Sequence, residues 1–193
     1  MLNLVIFGPP GCGKGTQSGN IIRKYGLYHI STGEILREEI SIHSAIGEVI
    51  RKFIDRGFLV PNDIVLREIR VCTDHHIQAK GLLFDGFPRT VFQATYLDDL
   101  LHSRNHEICK AIYLNVEEEE LFNRVRHRSE NSQRSDDSDE VLQNRISIYQ
   151  QETFPLVEYY CKQGKLAEVS GMASVDEVFQ RIDSHIQNCV KKK

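Results

Sequence analysis

Leu2-Asn3-Leu4-Val5-Ile6-Phe7-Gly8-Pro9-Pro10-Gly11-Cys12-Gly13-Lys14-Gly15-Thr16 decides the fold. An apolar run too short for a helix meets a glycine-rich turn. A helical pattern then runs from Lys14 to Tyr25 and stops at Gly26. Strand, turn, lysine and helix in that order make a phosphate loop. Its glycines let the backbone curl until successive N–H groups converge on phosphate oxygens, and the helix adds the positive end of its dipole. Lys14 brings a flexible ammonium to the phosphate. Gly15 fills the slot where most such loops have the Ser or Thr that contacts magnesium, and Thr16 stands one step later. Any magnesium is therefore expected to be held through water, with Thr16 a candidate contact.

Outward from this motif, apolar runs recur at 28–30, 81–84, 110–114 and 166–169, the pattern of strands buried on both faces. Helical spacing is expected at 64–78 behind Pro61, at 117–126, at 139–162 and at 175–190. Strands alternating with helices predict an α/β fold with a parallel sheet, whose ligands lie beyond the carboxyl ends of the strands. Two stretches break the alternation. Residues 31–60 are helix-rich without a strand pattern, and 129–139, SENSQRSDDSD, is polar throughout and predicts a surface loop.

The totals exclude several classes. The 193 residues, 40% hydrophobic and 26% charged, suit one core with small insertions rather than disorder. Twenty-four basic against 27 acidic residues give a net charge of −3, so no global positive field would draw the chain to nucleic acid or anionic lipid. No apolar stretch approaches the roughly 20 residues of a membrane helix, and residues 1–7 are too short for a signal peptide. Five cysteines without a CxxC pair are expected to be reduced, buried and cytoplasmic. The eight histidines are scattered and predict no metal site.

Two further constellations carry charge. In Asp85-Gly86-Phe87-Pro88-Arg89-Thr90, Asp85 leaves a strand at the sheet's carboxyl edge, where a carboxylate orients water on Mg²⁺, and Arg89 offers a planar fork to an anion. Arg124 and Arg128 share one helical face, Arg134 lies in the polar loop and Arg145 on the helix after it. Like charges four residues apart mildly oppose folding, which an anion would offset.

Taken together, GPPGCGKGT at 8–16, HISTGEILR at 29–37, VPND at 60–63, DGFPRTVFQA at 85–94 and the arginine series resemble the adenylate kinase family over essentially the whole chain. The resemblance implies a P-loop NTPase fold with a five-stranded parallel sheet. It further implies a core of 1–30, 61–126 and 138–193, an AMP-binding domain at 31–60 and a short lid at 127–137. It implies transfer of the terminal phosphoryl group of Mg-ATP to AMP, giving two ADP. ATP would be held by Gly11, Cys12, Gly13, Lys14, Gly15, Thr16, Arg124, Arg128 and Ala173. AMP would be held by Thr32, Arg37, Phe58, Leu59, Val60, Gly86, Phe87, Pro88, Arg89 and Gln93, the last at the adenine edge. Lys14, Arg89, Arg128, Arg134 and Arg145 would act on the transferred group, with Arg134 and Arg145 also reaching the AMP phosphate. Asp85 would hold Mg²⁺ through water. The 129–139 loop lacks the four cysteines of some relatives, so no structural zinc is expected, and the chain should be a monomer.

Glu34, Asn62-Asp63 and Ala173 depart from the family pattern, although the first two keep a plausible helix start. A UMP or CMP kinase on the same fold is the nearest rival, and Thr32, Thr90 and Gln93 speak against it. A catalytically silent nucleotide-binding module is the rival of another class, against which every charged position is filled.

Overall fold

The computed structural model describes residues 1–129 and 138–190. Strands β1 (Leu4–Phe7), β2 (Tyr28–Ser31), β3 (Leu82–Asp85), β4 (Lys110–Asn115) and β5 (Leu166–Ser170) form one parallel sheet in the order β2-β3-β1-β4-β5. The helices are α1 (Lys14–Tyr25), α2 (Thr32–Ser41), α3 (Ala45–Ile54), α4 (Asn62–His75), α5 (Val91–His102), α6 (Glu118–Ser129), α7 (Asp139–Ile148), α8 (Leu156–Lys162) and α9 (Val175–Val190).

Successive strand side chains point to opposite faces, so β1 feeds two cores. Val5 and Phe7 pack with Ile69, Leu97 and Tyr160 on one face. Leu4 and Ile6 pack with Ile21, Leu121 and Ile182 on the other. Helices thus cover both faces of the sheet, and β1 lies at its centre between β3 and β4. The register Ile6↔Asp85 brings the carboxyl end of β3 beside the turn that leaves β1.

The sequence expectations meet three exceptions. Residues 139–162 form three pieces, because Pro155 has no N–H to donate and its ring crowds the turn before it. α7 therefore ends at Ile148, a π-helical turn spans Tyr149–Thr153, and α8 begins after the proline. α5 was not expected, since apolar residues at 91, 92, 94, 96, 97, 100 and 101 fall all round the helix and blur its period. Among the cysteines only Cys12 is buried, and Cys161 is exposed. Chain position, which a cysteine's chemistry does not reveal, sets that difference.

Candidate active site

The turn after β1 and the start of α1 form the floor of a wide cleft of about 760 Å³, into which Gly11, Cys12, Gly13, Lys14, Gly15 and Thr16 all open. The ammonium of Lys14 donates to the carbonyls of Gly8 at 2.8 Å and Pro9 at 3.0 Å, so the loop itself anchors it at the cleft. Asp85 borders the same cleft and is 8% exposed. Its Oδ2 accepts from Ser18 Oγ at 3.0 Å and faces His29 Nε2 at 3.3 Å. Burial alone would raise its carboxyl, but the bond to His29, the nearby charge of Lys14 and the bond from Ser18 hold it below the ordinary carboxylate range. The same bond to Asp85 lifts the His29 imidazole above its usual value. Asp85 is therefore a fixed anion at neutral pH.

Arg124 and Arg128 reach the cleft from α6, while Gly171, Ala173, Ser174, Val175 and Val178 line it from the turn after β5 and the start of α9. Arg124 is tied down twice, by Glu120 Oε1 at 2.6 Å and by the carbonyl of Gly171 at 2.9 Å. Glu120 thus offsets part of the like-charge cost that the sequence assigned to an anion.

Across the sheet edge lies a second, narrower pocket. Leu36, Ile54, Val60 and Val65 give it apolar walls, and Thr32, Arg37, Phe58, Leu59, Gly86 and Gln93 complete it. Thr32 Oγ1 donates to the carbonyl of Gly86 at 2.9 Å. Gly86 has φ +75°, and a Cβ there would lie 2.8 Å from that hydroxyl, so only glycine allows this approach. Between pocket and cleft lies a third cavity, lined in part by Lys14, Pro88 and Tyr149. Gly86, Arg89 and Arg145 border all three. Arg89 is steadied by Nε on the Gly86 carbonyl at 2.9 Å, and its own carbonyl accepts from Thr153 Oγ1 at 2.8 Å.

A phosphate loop, a buried anion beside it and a narrow, apolar-walled pocket joined to the cleft by Arg37, Arg89 and Arg145 form one arrangement, and comparison with known proteins agrees. The family model described as adenylate kinase matches residues 6–165. The chain is 46% identical to the adenylate kinase of Azobacteroides pseudotrichonymphae and 43% identical to that of Parabacteroides distasonis. Each match covers 97% of this chain, and 98% and 99% of those relatives. It is 42% identical to the adenylate kinase of Bacteroides fragilis over 94% of this chain and 96% of that one.

The chain belongs to the adenylate kinase family.

As a member of the adenylate kinases it is a phosphotransferase. Of the residues expected from sequence to serve such an enzyme, those of the phosphate loop, Arg124, Arg128 and Ala173 meet around the wide cleft. Thr32, Arg37, Phe58, Leu59, Val60, Gly86, Arg89 and Gln93 meet around the narrow pocket. Phe87 is buried in the core and Pro88 lines the third cavity, so neither borders the narrow pocket. Thr16 is exposed at the cleft. Arg134 lies outside the described residues. Sequence reasoning missed His29 and Ser18, which hold Asp85, and Thr153, which holds Arg89. It also missed the walls Leu36, Ile54 and Val65. His29 stood inside a quoted motif, but nothing local tied it to a residue 56 positions away. No helix among the described residues is long and apolar enough to cross a membrane.

Proposed function

We propose that this adenylate kinase divides the reaction ATP + AMP = 2 ADP between the two depressions, with the donor in the wide cleft and the acceptor in the narrow pocket. One observation carries the assignment: three cations, Arg37, Arg89 and Arg145, border both. Two nucleotides placed with their bases apart would bring their phosphates together there.

In this reading the N–H groups of residues 11–16 and the Lys14 ammonium grip the ATP phosphates. Arg124 and Ala173 lie towards its base, and Arg128 neutralises charge on the transferred group. Thr32, Arg37, the 58–60 backbone and Gln93 hold AMP. Residues 86–89 add the turn that presents Arg89, and Arg134 joins Arg145 on the transferred group. No general base is required, because the attacking AMP phosphate has a second pKa of about 6 and is already ionised. Catalysis is then positioning together with neutralisation of the equatorial oxygens.

The donor set also fits magnesium. Asp85 and Thr16 offer hard oxygen atoms that would hold the ion through water, and the Asp85 carboxylate is kept anionic at the edge of the phosphate cleft. When bound with ATP, such an ion would supply positive charge that offsets the charge of the phosphates. Segments 31–60 and 127–137 are proposed to move as acceptor domain and lid over the remaining core, excluding water that would otherwise hydrolyse ATP. The enzyme is further proposed to be a cytoplasmic monomer, in keeping with the thiols Cys12, Cys72, Cys109 and Cys161.

The test is diphosphate formation from Mg-ATP with AMP, CMP, UMP or GMP. Rapid turnover of AMP, abolished by EDTA, is the expected result. Preference for UMP or CMP would mean a pyrimidine nucleotide kinase, and silence with all four would leave a binding module.

A further inference from the structure

Gln93 is 2% exposed at the wall of the acceptor pocket, and two neighbours settle which way its amide faces. The backbone N–H of Arg89 lies 2.8 Å from Oε1. A backbone N–H only donates, so the atom it meets must be the amide's carbonyl oxygen, and the other branch must be NH₂. That NH₂ donates to Asn62 Oδ1 at 2.8 Å. Asn62 is the first residue of α4, 31 positions away in sequence, and does not line the pocket.

With both pins in place the amide keeps one lone pair on Oε1 and one proton on Nε2. This pair complements a heterocycle with an exocyclic amino group next to an unprotonated ring nitrogen. The amino N–H donates to Oε1, and the ring nitrogen accepts from Nε2. A base carrying a carbonyl beside a ring N–H presents the opposite pattern, oxygen against oxygen and N–H against N–H. Accepting such a base would require the amide to turn over, breaking both pins and setting two N–H groups against each other at Arg89.

We infer that Asn62 is a specificity-determining positioning residue. By accepting from Gln93 Nε2 it helps lock the amide in the orientation that selects 6-amino over 6-oxo purine monophosphates. The inference rests on the proposed reading in which the acceptor base reaches Gln93. Asn62 adds to it a residue that touches no substrate and that the sequence placed only as a helix start.

AMP and IMP are the probes, because they share shape and differ at the two atoms concerned. We would measure kcat and KM for each with saturating Mg-ATP in the parent enzyme and in Asn62→Leu, Asn62→Asp and Gln93→Leu, with thermal melts of all four. Asn62→Leu should raise KM for AMP about threefold to tenfold, the range of one neutral hydrogen bond, leave kcat within about twofold and narrow the preference for AMP over IMP by a similar factor. Asn62→Asp keeps an acceptor at the same place and should retain the parent preference. An unchanged preference in Asn62→Leu, with Gln93→Leu having lost it, overturns the role of Asn62 alone. Equal loss in Asn62→Asp and Asn62→Leu also overturns it, since the acceptor would then be irrelevant. An unchanged preference in Gln93→Leu overturns the reading beneath it.

Discussion

The two halves of the site are built on opposite plans. The narrow pocket, the acceptor side on the proposed reading, is apolar-walled and cross-tied: Thr32 to Gly86, Gln93 to Arg89 and Asn62, and Asn144 Nδ2 to the Arg56 carbonyl at 2.6 Å. The wide cleft, the donor side on that reading, is about 760 Å³ with exposed Gly15, Thr16, Ser174 and Val175 along it, and its grip would come from backbone N–H groups and cations. Any triphosphate satisfies such a grip, whereas few bases satisfy the pocket. On the proposed reading discrimination would therefore be concentrated on the acceptor, and exchange of the acceptor base should cost more than exchange of the donor base.

The largest expected effect breaks the comparison at its junction. Arg145→Ala should lower kcat by about a hundredfold to a thousandfold, as loss of one preorganised charge on the transferred group does, while the melting temperature changes little. Near-normal kcat would mean that the two halves do not meet at Arg145. A smaller effect sharpens the acceptor side. Gly57 has φ +75°, and a Cβ there would lie 2.8 Å from Arg145 Cγ and 2.9 Å from the Val141 carbonyl, so α7 lies directly against it. Gly57→Val should cost about 1–3 kcal/mol of stability and raise KM for AMP more than KM for ATP. Equal rises in steady-state assays would show that the contact serves both halves alike.

The smallest effect concerns the donor side's anchorage. Asp183 on α9 accepts from Tyr25 Oη at 2.7 Å and pairs with Lys24 Nζ at 2.6 Å, clamping the far end of α1. Burial opposes ionisation of Asp183, but Lys24 and Tyr25 hold its carboxyl below the usual range. Its folded form thus favours the anion. The resulting stability is present above the ordinary carboxylate pKa of about 3.9 and fades as pH falls through the lower folded value. Asp183→Asn should lose up to about 1 kcal/mol at pH 7 and less near pH 3, with kcat unchanged. Equal losses at both pH values, read from denaturant melts, would remove the charge from the explanation.

Much of this was legible in the chain. The phosphate loop and the parallel sheet announce themselves because short apolar runs, glycine punctuation and a lysine act within a few residues of one another. Asp85 was legible as a strand-end carboxylate. Its partners were not, since His29 and Ser18 reach it only through the pairing of β2 with β3 and the packing of α1. The same holds for Asn62 and Gln93: the helix start at 62 is a local property, and the amide it meets is not. Pro155 was visible, but its effect, a widened turn that delivers Thr153 to Arg89, depends on what packs against that turn.

Arg89 has a use that neither half explains alone. Its guanidinium borders the junction of the cavities, its peptide N–H orients the amide of Gln93, and its carbonyl is held by the π turn through Thr153. On the proposed reading, one residue touches the phosphate end of the acceptor and sets the group that meets the base. The two contacts are then coupled through one short stretch of chain, by the Arg89 side chain at one end and by its N–H bond to Gln93 at the other. On that reading Arg89 and Gln93 together gauge the length of the acceptor, and a nucleoside lacking its phosphate or bearing it elsewhere would meet only one of them.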